Sequence, residues 1–157
     1  MLEEAMQSRI EFLSAGIQLP LGAESPRRRP LELVVPYTDA ALTAQALAGA
    51  LEMARGLESA VTLMAVHILP YPSPLEYQEG IRERLESELT AVARTSPVTV
   101  RVKLVFARDR AEAYLGLLPR HSLVVIGTRE RWWRTREERL ARQLAAGGHS
   151  VALIKVP

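Results

Sequence analysis

From Leu31 onward the chain alternates short apolar runs with longer stretches whose apolar residues recur every three or four positions. The runs Leu31–Pro36, Ala60–Val66, Leu123–Ile126 and Val151–Val156 are nearly continuous in apolar character. Such runs predict strands buried on both faces of a sheet. The segment Val98–Phe106 differs, because Val98, Val100, Val102, Leu104 and Phe106 alternate with Thr99, Arg101, Lys103 and Val105. One wet face predicts an edge strand.

Between these runs lie amphipathic stripes. Thr43, Leu47, Ala50, Leu51 and Ala54 share one helical face, as do Ile81, Leu85, Leu89 and Val92. Ala111, Tyr114, Leu115 and Leu118 predict a shorter helix, and Leu140 and Leu144 a fourth. Their starts are marked by Ser73-Pro74-Leu75-Glu76, Asp109-Arg110-Ala111-Glu112 and Thr135-Arg136-Glu137-Glu138. In each, an oxygen at the first position can accept from a backbone N–H that the helix leaves unpaired. Gly147-Gly148 predicts the end of the last helix.

Strand and helix alternating in this way predict an α/β fold, a doubly wound five-stranded parallel sheet of the Rossmann-like class. Numbering predicted strands from Leu31, right-handed crossovers and a wet third strand favour the order 3-2-1-4-5. A ligand would then sit beyond the carboxyl ends of the central strands, between the loops after Val35 and after Ile126.

Residues 1–30 read differently and are set apart from a domain over 31–157. Leu2, Met6, Ile10 and Leu13 form one stripe of a short amphipathic helix. At ~12 residues such a helix is marginal alone in water and should dock on its own domain or a twin subunit. A connector follows in which Pro26 and Pro30 bracket Arg27, Arg28 and Arg29.

Composition narrows the chemistry. With 157 residues the chain fits one domain, and it has no cysteine, which excludes disulfides and thiolate chemistry. A formal net charge of only +2 makes no general case for nucleic-acid binding. Glu3, Glu4 and Arg9 interrupt the start, predicting no secretory leader, and no stretch approaches the length of a membrane span. A cytoplasmic location without membrane insertion is the expectation. His67, His121 and His149 match no zinc spacing, and no Gly-x-Ser-x-Gly elbow occurs, so neither a metal site nor an enzyme is expected.

Leu33-Val34-Val35-Pro36-Tyr37-Thr38-Asp39 resembles the first strand and loop of universal stress proteins. Val61-Thr62-Leu63-Met64-Ala65-Val66-His67 resembles their second strand, and Ser122-Leu123-Val124-Val125-Ile126-Gly127-Thr128 their fourth. The resemblance spans Leu31 to Val156 and implies the fold shared with adenine nucleotide alpha hydrolases. It implies a ligand crevice at Pro36, Tyr37, Thr38, Asp39, Val66, His67, Gly127, Thr128 and Arg129. Members that bind ATP carry Gly-x-x-Gly, then after nine residues Gly-Ser or Gly-Thr, so that backbone N–H groups close on phosphates. Here those places hold Glu130, Leu140 and Ala141, so the ATP or AMP mode is disfavoured and no cofactor is expected.

In place of the glycines stands Arg129-Glu130-Arg131-Trp132-Trp133-Arg134. Three readings of this loop are open. One tryptophan fills the vacated cleft while the arginines pair with Glu130, Glu137 and Glu138; Arg131, Trp132, Trp133 and Arg134 dock a partner, since aromatics and arginine dominate binding hot spots; or Arg129, Arg131 and Arg134 hold an anion without glycines, which the charge of Glu130 opposes. The resemblance also implies a homodimer through the last strand, with Val151, Leu153 and Lys155 on the pairing edge. The functional expectation is a non-catalytic stress or regulatory module that binds a protein partner or a small regulator. A nucleotide sensor with altered phosphate contacts, and an accessory domain of a membrane transporter, are the alternatives.

Overall fold

The computed structural model describes residues 9–13, 31–57, 59–69, 75–120 and 122–157. The predicted helix cap at Ser73-Pro74, the Arg27–Arg29 connector, Leu2, Met6 and His121 lie outside the described residues.

The strands are β1 (Arg9–Leu13), β2 (Leu31–Pro36), β3 (Ser59–Ile68), β4 (Arg101–Ala107), β5 (Ser122–Arg129) and β6 (Ser150–Val156). The helices are α1 (Ala40–Met53), α2 (Leu75–Ala93), α3 (Arg110–Leu117) and α4 (Arg136–Ala146). They build one sheet in the order β1-β6-β5-β2-β3-β4. The pairs β6–β5, β5–β2, β2–β3 and β3–β4 are parallel, and β1 joins β6 antiparallel.

Two layers of helix cover the sheet. On one face Ala46, Leu47 and Ala50 of α1 and Leu89 and Val92 of α2 pack on Leu33, Val35, Leu63 and Val125. On the other, Tyr114 of α3 and Leu140, Ala141 and Leu144 of α4 pack on Val34, Met64, Ile126 and Leu153. Neighbouring residues of one strand thus enter opposite cores, which is why the central runs are apolar without alternation. Among the described residues β4 pairs only with β3, as an edge strand should. It starts at Arg101 and not at Val98, and Val102 is exposed together with Arg101 and Lys103, so the expected alternation of a covered and a wet face fails there.

The expected count and order of strands are corrected by β1. Ile10 and Leu13 belong to an extended strand and not to a helix. A short isolated helix gains little in water, whereas the apolar β6 offers a row of unpaired backbone groups. Leu13 packs on the α3–α4 core, and Glu11 Oε2 lies 2.8 Å from Lys155 Nζ. The edge expected to pair with a second copy through Val151, Leu153 and Lys155 is therefore already taken within the chain, opposite Leu13, Glu11 and Arg9. Leu115, placed on a buried face, is also corrected: it is 40% exposed.

Candidate functional site

The reversal of strand order falls between β2 and β5, where the first crossovers leave the sheet in opposite directions. A shallow cavity of about 400 Å³ opens there. Asp39 and Leu42 at the start of α1 form one wall. Arg129 at the end of β5, Arg131, Trp133, Arg134 and Thr135 of the loop after it, and Arg136, Glu137 and Arg139 of α4 form the other.

Local chemistry fixes both walls. Asp39 Oδ1 accepts from the Leu42 N–H at 2.8 Å and so caps α1. The Thr38 N–H donates to Thr43 Oγ1 at 3.0 Å, tying the loop before the cap to the helix behind it. Across the cavity, Thr135 Oγ1 accepts from the Glu138 N–H at 3.1 Å and caps α4. The same hydroxyl shares a short hydrogen bond with Thr128 Oγ1, which is buried at the end of β5. The Glu130 N–H donates to the Val156 carbonyl at 2.7 Å. The loop from 130 to 134 is thus clamped at its base to β5, β6 and α4.

At its tip the loop is unlike the rest of the surface. Trp132 is 92% exposed and Trp133 is 51% exposed. Their rings meet edge to face, with centroids 5.1 Å apart and planes at 85°. Arg131 Cζ stands 5.7 Å from the Trp133 ring centroid, where a cation is attracted to the π face. Trp132 stands outside the cleft, whereas Trp133 forms part of the cavity wall at about half exposure. Arg129, Arg131, Arg134, Arg136 and Arg139 are all exposed, whereas Glu137 and Glu138 are half-buried. Glu138 Oε1 also holds Arg142 at 3.1 Å.

The residues expected to form one crevice separate in space. Asp39 and Arg129 line the cavity together with the whole predicted partner loop except Trp132. Pro36 and Val66 are buried, and Gly127 lies inside β5. An added Cβ at Gly127 would stand 2.4 Å from the Leu42 carbonyl oxygen, so this glycine lets α1 close on the sheet. His67 is turned toward β4, edge to face with Phe106 at 5.8 Å, and Arg82 Cζ covers the same Phe106 ring at 5.2 Å.

Tyr37 also turns away from the cavity. Its N–H donates to the Met64 carbonyl at 2.7 Å, and its hydroxyl donates to Glu88 Oε2 at 3.2 Å. The Tyr114 hydroxyl reaches the same Met64 carbonyl at 3.2 Å from the opposite face. Burial, reinforced by the Glu88 charge, pushes the Tyr37 phenol from 10.0 to about 12. Burial pushes Tyr114 up as well, against the opposing charge of Arg110. Both folded-state values exceed those of an unfolded chain, so this stability is complete below pH 10.0 and falls as pH rises toward about 12. Alkaline titration should show two tyrosines ionising late, together with loss of far-ultraviolet circular dichroism. Normal ionisation of every tyrosine in the folded chain would contradict it.

Sequence reasoning missed Arg136 and Arg139 as cavity residues. Their spacing across one helical turn from the Thr135 cap could have indicated it. A second cavity, of about 640 Å³, lies at the opposite end of the sheet between α1 and the α2–β4 connection, with Ala44, Leu51, Leu57 and Val98 among its walls. Among the described residues no helix is long and apolar enough to cross a membrane, and no cluster of three or more histidine and acidic side chains is placed to hold a metal ion. No family model matches this chain, and no curated protein matches it.

Proposed function

We propose that this chain is a non-catalytic docking module that contacts an anionic partner through the Trp–Arg loop at the carboxyl end of its sheet. The carrying observation is Trp132, 92% exposed on a loop clamped at its base, in a stretch from Arg129 to Arg139 whose five arginines are all exposed. A large aromatic held in water by a rigid support has no folding purpose, and loops on rigid scaffolds are where binding residues concentrate. Groups that could carry chemistry have structural duties instead. Asp39 caps α1, Thr128 meets Thr135, and Ser122 Oγ donates to the Pro119 carbonyl at 2.7 Å. The likeness to universal stress proteins supports a regulatory role for such a module.

Titration with poly-L-glutamate, read by tryptophan emission, tests this. Emission should change, and the change should weaken with salt, because exposed charges are screened beyond about 10 Å at 0.1 M. Replacing Arg131 and Arg134 by glutamine should weaken it further. An emission spectrum indifferent to polyglutamate at low salt would count against anionic docking by this face.

One observation favours a second reading, a nucleotide sensor. The cavity lies at the reversal of strand order and joins Asp39 to Arg129. Its weakness is Gly127, whose open side faces the Leu42 carbonyl and leaves no room there for a phosphate. Quenching of the tryptophans by AMP or ATP would favour the sensor, and its absence would remove it.

A further inference from the structure

We infer that the anionic partner of this loop is the surface of a lipid bilayer bearing acidic headgroups, an inference that rests on the docking reading above. Trp132 meets Trp133 edge to face, is 92% exposed and does not line the neighbouring cavity, so its ring projects into solvent. A folded protein partner would have to supply a complete pocket around it. A bilayer interface receives an indole on all sides, its ring among the acyl carbons and its N–H at headgroup level.

The charges are arranged to match. From Arg129 to Arg139 there are five arginines against three glutamates, Glu130, Glu137 and Glu138. All five arginines are exposed, and two of the three glutamates are half-buried. Arginines behind an aromatic tip would reach lipid phosphates as the indoles enter, and each cation near an anionic surface strengthens binding about fivefold. The base clamps from Glu130 to Val156 and from Thr128 to Thr135 hold this arrangement before contact, which lowers the ordering cost of binding. The contact is superficial: the wedge is two side chains on a loop, not a spanning element.

The test uses the full chain with vesicles of phosphatidylcholine alone and of phosphatidylcholine with phosphatidylglycerol, beside a parallel titration with poly-L-glutamate. Co-sedimentation with the phosphatidylglycerol vesicles only, with a blue shift of tryptophan emission, is expected. Trp132→Ser should abolish most of the shift, and Arg131→Gln and Arg134→Gln should each weaken binding about fivefold. These side chains are exposed, and unchanged circular dichroism would establish that the variants fold. Polyglutamate binding without vesicle binding overturns the lipid inference and leaves the docking reading standing. Failure in both assays overturns both. Vesicle binding unaffected by Trp132→Ser overturns the assignment of this loop as the wedge.

Discussion

Gly127→Ala is expected to lower stability by about 3 kcal/mol, toward the upper end of what overpacking a core costs. The new methyl would meet the Leu42 carbonyl oxygen at 2.4 Å and Ala46 Cβ at 3.5 Å. The first contact is with backbone in the opening turn of a helix, so no side-chain rotation relieves it. Either α1 retreats from β5 or the strand bends, and both loosen the packing of Ala46 and Leu47 on the sheet. For a chain of this size the melting temperature should fall by roughly 10 °C. Thermal unfolding without any ligand measures this, and it separates two explanations for the glycine. A residue needed only for ligand approach would tolerate alanine in the ligand-free protein. A melting temperature within a degree or so of the parent would show that α1 is not seated on this glycine.

Leu13→Asp should release β1 from the sheet. β1 is five residues long, with Phe12 67% exposed and Leu13 tied into the core cluster beneath α4. A carboxylate at Leu13 would have to shed water beside Val151, its partner in the ladder. The loss of global stability should stay at about 1–3 kcal/mol, because one edge strand is at stake and not the central sheet. The local effect is larger. Amides of Val151–Lys155 that point at β1 should lose hydrogen-exchange protection, while those bonded to β5 keep it. The uncovered β6 is apolar and flat, so self-association should rise with concentration in sedimentation experiments. Unchanged protection in β6 would mean that β1 is held by more than Leu13, and unchanged association would mean that the bared edge does not recruit a second chain.

These two expectations bracket what could be read from the chain alone. Strands at Leu31, Ala60, Leu123 and Val151 were legible because burial on both faces demands unbroken apolar runs. The edge position of the segment at Arg101 and Lys103 was legible too, but its alternation was not kept, since Val102 is exposed beside them. The caps at Asp109 and Thr135 were legible because one side-chain oxygen and one N–H three residues later suffice to make them. β1 was not. Leu2, Met6, Ile10 and Leu13 satisfy a helical period, and a stripe within one segment carries no information about an unpaired edge formed more than a hundred residues later.

The candidate site divides in the same way. The sequence placed a crevice at the reversal of strand order, but of the nine residues it assigned there only Asp39 and Arg129 line the cavity. Arg131, Trp133 and Arg134, which it assigned to a partner loop, line it as well. It could not tell whether a tryptophan entered the cleft or stood outside it, nor that His67 turns toward Phe106 and Gly127 toward Leu42. Periodicity and capping are local, set by residues a few positions apart, and so the chain by itself determined its five strands from Leu31 onward, the four helices between them and the position of its unusual loop. Which edge β1 closes, what fills the space beside Gly127 and how far Trp132 projects depend on the approach of segments distant in sequence, and only the packed tertiary structure decided them.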